Sequence, residues 1–129
     1  VALVHGMSRP IGAAYHVPHG LSNAMLLPIV TEYSIPDAVG HYARCARAMS
    51  IATNDDNDQT ACANLLDELN ALNRELHVPT PAEFGIDRTA FFNNLETMAA
   101  QAITSGSPAN NPKQPDADTI IALYKKLWN

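Results

Sequence analysis

Residues 5–20 read HGMSRPIGAAYHVPHG, and residues 21–30 continue as LSNAMLLPIV. The first segment holds three histidines, two prolines and three glycines, whereas the rest of the chain holds only two more histidines. The second segment is apolar nearly all round a helix, which is typical of a helix buried on most sides. Together they predict a turn that carries imidazoles and leads into a buried helix.

Helices are predicted on both sides of this turn. A first helix covers residues 1 to about 15, and Pro18 opens a second one that runs to about Tyr33, because the first turn of a helix accepts proline. Pro28 would cost about 3 kcal/mol in an exposed helix interior, so we expect a kink or an early end there.

A third helix is expected to start at Pro36 and Asp37, and the polar loop TNDDND follows it at residues 53–58. The clearest apolar periodicity of the chain comes next and stops before Pro79. Its members recur at intervals of three and four residues and are Cys62, Leu65, Leu66, Leu69, Leu72 and Leu76.

Two more helices are predicted in the last third of the chain. Asp87 caps the first, in which Ile86 and Phe91 form a hydrophobic staple and the apolar face continues to Ile103. The polar loop TSGSPANNPKQP separates it from a last helix, capped by Asp116 or Asp118. There is no strand alternation, internal repeat or domain linker. The sequence therefore predicts one all-α helical bundle over residues 1–129.

Composition limits the class of protein. The formal charge of −5 and the absence of a basic patch argue against nucleic acid as a partner. No signal peptide is visible, and the longest apolar run, AMLLPIV, is too short to span a membrane. Cys45 and Cys62 are each predicted on the buried side of a helix as reduced thiols, which is typical of the cytoplasm.

The histidines are the remaining candidates for a functional site once other common motifs are excluded. The chain has no glycine-rich phosphate loop, no Cys-x-x-Cys pair and no nucleophile elbow. His5 lies on the first helix and His19 at the start of the second, where the electropositive helix N-terminus favours the neutral, metal-binding ring. Two interpretations stay open from the residues alone. The histidines either form a metal site or are separate residues satisfied by local hydrogen bonds.

Asp37 and His41 offer a second pair of ligands. Their i, i+4 spacing would place both on one helix face and complete a set of four with His5 and His19. The simpler interpretation, which we favour, is that Asp37 caps its helix after Pro36 and that His41 merely lies on that helix.

The stretch HGMSRPIGAAYHVPHGLSNAMLLP, residues 5–28, strongly resembles the second signature region of the iron-containing (group III) alcohol dehydrogenases. Family members have a His-Gly-Met or His-Ala-Met start, a Pro-x-Gly turn, Pro-His-Gly and an apolar Leu-Leu-Pro. The fourteen-residue spacing of the two ligand histidines also agrees. A weaker resemblance extends over the rest of the chain through YARCARAM, LNRELHVP, ANNPK and IIALYKKLW.

The resemblance implies a fold and a place in a larger protein. Residues 1–129 resemble the C-terminal helical, metal-binding domain of the dehydroquinate synthase-like or iron-containing alcohol dehydrogenase fold. The chain starts in apolar residues with no initiator Met and no helix cap. We therefore expect a fragment that is truncated at its N-terminus and lacks the NAD(P)-binding domain.

The resemblance also implies a metal site and a reaction. His5 and His19 would be the last two ligands of Fe²⁺, or of Zn²⁺, in a set of one Asp and three His. The family's Asp-x-x-x-His pair is then expected before residue 1 and not at Asp37 and His41. The implied reaction is hydride transfer between an alcohol and NAD or NADP, with the metal as Lewis acid. Its implied partners are a small alcohol or aldehyde, the missing nucleotide-binding domain and, in a homo-oligomer, further copies. The chain alone is expected to be inactive.

Arg9 is the departure from the family pattern, because many members carry another His at this position, near the nicotinamide. Arginine does not shuttle protons at ordinary pH. It could instead bind a substrate carboxylate or a cofactor phosphate. A surface role for Arg9 is an equal alternative.

Two other functions stay open at this point. A metal-independent reductase of the same superfamily is one, although such enzymes need not retain histidine at both ligand positions. A non-catalytic helical binding module is the other.

Overall fold

The computed structural model describes residues 1–129, and its regular structure is all helix. Two short 3₁₀ turns, Ile35–Asp37 and Ser107–Asn110, interrupt the series of α-helices. The helices are α1 (Leu3–Tyr15), α2 (His19–Ser34), α3 (Val39–Ala48), α4 (Asp58–Glu75), α5 (Pro81–Phe84), α6 (Arg88–Asn93), α7 (Leu95–Thr104) and α8 (Ala117–Lys126). None of them is both long enough and apolar enough to cross a lipid bilayer.

The predicted helix ends are largely confirmed. The backbone at Pro18 forms the N-cap of α2, and α2 ends at Ser34. The Asp87 carboxylate accepts a hydrogen bond from the Ala90 amide at 2.8 Å and so caps α6. Between the two candidates for the last helix, Asp116 is the cap, because its carboxylate accepts from the Thr119 amide at 2.8 Å.

The helix α2 does not end early at Pro28, because a distant side chain replaces the missing hydrogen bond. Proline has no amide hydrogen, so the carbonyl of Ala24, four residues earlier, loses its helical donor. The Asn73 side-chain amide on α4 donates to that carbonyl at 2.8 Å. Pro28 itself is buried. The helix therefore continues past it to Ser34.

Two separate cores hold the helices together. The larger one joins α1, α2, α6, α7 and α8 around Phe91, whose ring lies 5.7 Å from Tyr15, 5.9 Å from Tyr124 and 5.2 Å from Trp128. Aromatic pairs at such distances add to the free energy gained by burial. The smaller core lies between α3 and α4 and consists of Ala43, Ala46, Ala52, Ala61, Cys62 and Leu65.

The last turns of α4 are less buried than the periodicity predicts. Leu72 is 42% exposed and Leu76 is 64% exposed. The Cys62 thiol already contacts the carbonyl of Val39, the first residue of α3. Helix α3 therefore does not extend along the later turns of α4, where Leu72 and Leu76 stay exposed.

Other expectations of burial and helix length are wrong. Cys45 is exposed, because α3 buries Ala43 and Ala46 instead, although both cysteines are free thiols as expected. The helix predicted after Asp87 is broken into α6 and α7 at Asn94, whose side-chain amide reaches the Tyr15 hydroxyl at 3.5 Å. Ile103, near the end of α7, is 42% exposed.

Replacing Asn73 by alanine should leave the Ala24 carbonyl without a donor and lower the free energy of unfolding by about 1–2 kcal/mol. Urea denaturation followed by circular dichroism measures this. Asn70→Ala is the matched control, because the Asn70 amide donates only to the Leu66 carbonyl of its own helix and is exposed. Equal stability of the two variants would contradict the role of Asn73.

Candidate metal centre

The structure brings His5 and His19 together. His5 lies in the first turn of α1 and is half-buried, and His19 is the first residue of α2 and is exposed. Their ring centres are 5.3 Å apart, and the ring planes are tilted by 55°. The two imidazoles come from consecutive helices, so their approach depends on how the chain reverses between α1 and α2.

That reversal is made by residues 16–18. His16 ends α1 in the left-handed region at φ 57°, and its amide donates to the Gly12 carbonyl. A side chain at Gly12 would bring its Cβ within 3.3 Å of the Val17 carbonyl oxygen. His16 is therefore part of the turn. It lies between the helices and does not share a helix face with His19, as Pro18 predicts.

The electrostatics around His5 favour the neutral imidazole. The pKa of His5 is below its usual value, first because partial burial removes water from the ring. The positive charges of His19, of the Val1 amino group and of Arg9 lower this pKa further. Neutral imidazole is the form that binds a metal ion.

Asn23 contacts His19 and is a residue that sequence reasoning missed. Its side-chain amide lies 3.3 Å from Nε2 of His19, one turn earlier on α2. Its Oδ1 is buried without a hydrogen-bond partner. An amide NH2 group donates, so this contact orients the His19 ring through the lone pair of Nε2. The i, i+4 spacing of the two residues on a predicted helix was the available signal.

The ring geometry fits two ligands of one ion. An imidazole nitrogen lies about 2.1 Å from a divalent ion and the ring centre about 1 Å further, so two rings on a tetrahedral ion have centres about 5 Å apart. The observed separation of 5.3 Å is close to that value. No third His, Cys, Asp or Glu forms a cluster with this pair.

Asp37 and His41 do not join the His5–His19 pair. Asp37 is in the first 3₁₀ turn and His41 is on α3, and both are exposed. The expectation that Asp37 caps α3 is wrong, because the N-cap is Ala38 and no side chain caps this helix. His41 has a local partner instead, since its Nδ1 contacts the guanidinium of Arg44 one turn later on α3.

The helix that carries His5 is held by two contacts that sequence reasoning also missed. The Tyr124 hydroxyl on α8 donates to the Met7 carbonyl at 2.7 Å, and burial raises the pKa of this phenol. On another side, the second 3₁₀ turn packs directly on Gly6. A Cβ at Gly6 would lie 2.9 Å from Cδ of Pro108. Nothing local in the sequence signals either contact.

Comparison with known proteins identifies the family. The C-terminal profile of the Fe-containing alcohol dehydrogenase family matches residues 1–128. This chain belongs to that family. The prediction from the signature residues is thereby confirmed, together with the all-helical fold.

Two bacterial enzymes are among the relatives of this chain in the alcohol dehydrogenase family. An NADPH-dependent butanol dehydrogenase of Clostridium saccharobutylicum is 28% identical over 99% of the chain, which corresponds to 33% of the relative. A lactaldehyde reductase of Escherichia coli is 30% identical over 99% of the chain and 33% of the relative. The chain thus spans about a third of the length of these relatives.

Solved structures agree with the fold. A 1,3-propanediol oxidoreductase superposes with a TM-score of 0.88 at 23% identity, covering 98% of the chain and 32% of that structure. An iron-containing alcohol dehydrogenase from Thermococcus thioreducens gives a TM-score of 0.82 at 31% identity, covering 99% of the chain and 32% of the structure.

Replacing Gly6 by alanine should destabilise the chain by about 1–3 kcal/mol, because the added methyl group meets the Pro108 ring and α1 or the 3₁₀ turn must shift. Urea unfolding measures the loss, and the NMR signals of the His5 ring should move with it. Gly40→Ala on α3 is the control. A Cβ there meets nothing within 4 Å, so stability should be unchanged or higher by up to about 1 kcal/mol. Similar stability of both variants would contradict the close approach at Gly6.

Proposed function

We propose that this chain is the C-terminal, metal-binding part of a metal-dependent, NAD(P)-linked alcohol dehydrogenase. The proposed reaction is hydride transfer that interconverts an alcohol with an aldehyde or ketone. The observation that carries the proposal is the approach of the His5 and His19 rings to 5.3 Å from two consecutive helices. Family membership and the alcohol and aldehyde substrates in the names of the relatives support it.

His5 and His19 would hold Fe²⁺ or Zn²⁺ through imidazole nitrogens. Imidazole suits both ions, so these two ligands do not select between them. When bound, the metal would supply a Lewis acid for the substrate oxygen, and the nicotinamide would carry the hydride.

The chain's own contribution is to fix the two rings. His5 is held on a helix that Tyr124 and Pro108 position from outside, and His19 is held at a helix start with Asn23 against its Nε2. The neutral state of His5 leaves a lone pair for the ion at neutral pH.

A metal site with four ligands needs two ligands besides His5 and His19. We assign them, together with the nucleotide-binding domain, to the two thirds of the relatives that this chain does not cover. Residues 1–129 then form one helical domain of a larger enzyme.

Zinc titration of the 129-residue chain tests the pair directly. Wild-type chain should bind Zn²⁺ weakly, with shifts in the imidazole NMR signals of His5 and His19. His5→Ala and His19→Ala should each weaken the affinity about tenfold or more, because even outer-shell partners of ligands contribute that much. His41→Ala, which removes an exposed histidine with a local partner, is the control and should not change it. The assignment is wrong if neither His5→Ala nor His19→Ala weakens binding, or if His41→Ala weakens it equally.

The larger protein that contains this chain gives a second readout. Elemental analysis should find about one Fe or Zn per active site in the wild type and strong depletion in His5→Ala and His19→Ala. Retention of stoichiometric metal in both variants would overturn the assignment. A metal-free wild type that still reduces aldehydes with NAD(P)H would favour a metal-independent reductase.

The isolated chain should show negligible NAD(P)-linked alcohol oxidation, because the proposal gives it only half of the metal ligands and no nucleotide-binding domain. The rate of NAD(P)H formation at 340 nm measures this, with a full-length family member as the positive control. Robust turnover by the pure 129-residue chain would contradict the proposed division of the site.

A further inference from the structure

Among the Lys and Arg residues of this chain, Arg9 is the one whose side chain has no structural partner. The chain has eight Lys and Arg residues, and seven of them contact another side chain or lie in the last turn of a helix, where a positive charge is stabilised. These seven are Arg44 on His41, Arg47 paired with Asp58, Arg88 over Phe92, Lys113 over Tyr33, and the helix-end residues Arg74, Lys125 and Lys126.

Arg9 instead lies in the middle of α1 and is exposed. Its positive charge helps to lower the pKa of His5, so the guanidinium lies close enough to act on that ring. Residues four apart are neighbours on a helix surface, roughly 6 Å apart along the axis. Arg9 is thus one helical turn from the His5–His19 pair.

The segment around Arg9 carries no carboxylate at all. All thirteen Asp and Glu residues of the chain follow residue 31, and Arg9 is the only Lys or Arg before it. Although the chain has a net charge of −5, the charged groups that act on His5 are all positive. Such local positive charge attracts small anions to a site that the net charge would otherwise repel.

A groove adjoins Arg9 on the side of α1 that faces α7. It has a volume of about 200 Å³ and is lined by Gly6, Arg9, Pro10, Ala13, Gln101 and Ser105. One water occupies about 30 Å³ of liquid, so the groove has room for the anionic end of a small molecule. The small residues Gly6 and Ala13 leave the guanidinium as the one charged group on its wall.

We propose that Arg9 is a specificity residue that binds the anionic group, a carboxylate or a phosphate, of the molecule whose other end reaches the His5–His19 pair. Guanidinium binds both groups through paired hydrogen bonds. This inference rests on the proposed function and narrows its substrates to anionic alcohols and aldehydes.

Substrate selectivity in the larger protein that contains this chain tests whether Arg9 binds the anionic group of the substrate. 1-Butanol and 4-hydroxybutyrate share a primary alcohol on a four-carbon chain, and only the second carries a carboxylate. Arg9→Gln should lower the ratio of kcat/KM for 4-hydroxybutyrate to that for 1-butanol about tenfold, the size of one lost charged hydrogen bond. Arg9→Lys should restore part of it. Arg74→Gln, which removes an exposed arginine from the end of α4, should leave the ratio unchanged.

An unchanged ratio of the two substrates in Arg9→Gln would overturn the proposal.

Binding to the 129-residue chain separates this inference from the proposed function. Butyrate and inorganic phosphate are titrated in turn, and amide NMR shifts on α1 and α7 are followed. Arg9→Gln should weaken binding of at least one probe about tenfold, and Arg74→Gln should not. Equal affinity of wild type and Arg9→Gln for both probes overturns the inference, whatever the enzyme assays give. Arg9-dependent binding in a protein that oxidises no alcohol would instead overturn only the proposed function.

Discussion

The reversal of the chain at residues 16–18 is the constraint on which the rest of the structure depends. His16 adopts a left-handed conformation, and Pro18 starts the next helix without needing an amide hydrogen bond. This short connection forces α1 and α2 to pack against each other. His5, in the first turn of α1, meets His19 at the start of α2.

A short turn alone would leave α1 free to slide or rotate on α2, and its other contacts prevent this. One face of α1 is fixed in the larger core, in which three of its residues are fully buried: Leu3, Met7 and Ile11. Tyr124 holds a backbone carbonyl of the same helix, and the Pro108 ring lies against Gly6. The histidine pair thus rests on contacts from the far end of the chain, because residues beyond 100 fix the position of residues before 10.

The distribution of charge follows the same division of the molecule. The histidine-bearing segment has no acidic residue, whereas the rest of the chain carries the excess of negative charge. Carboxylates beside the pair would raise the pKa of the imidazoles and favour the charged rings, which do not bind metal. Partial burial and the nearby positive charges keep His5 neutral, and no carboxylate neutralises the Arg9 guanidinium. The lack of acidic residues in this segment therefore favours both the proposed metal site and the proposed anion site.

The sequence by itself determined the helical class, most helix ends and the two candidate ligands. These depend on local chemistry: proline at the start of α2, the Asp87 and Asp116 caps, and the spacing of the histidine motif. The signature residues also identified the family, since a long motif with fixed spacing is specific.

Only the tertiary structure decided the rest, because the deciding contacts join residues far apart in the chain. Asn73 lies 49 residues from the Ala24 carbonyl that it satisfies, so α2 does not end at Pro28, although a local pattern alone allows an end there. Cys45 is exposed because α3 buries Ala43 and Ala46 against α4 instead, and Leu76 is exposed because α3 does not extend along the end of α4. The distance between the His5 and His19 rings depends on the packing of α1 against its neighbours. Periodicity defines the apolar face of a helix, but the helices packed against it decide how much of that face is buried.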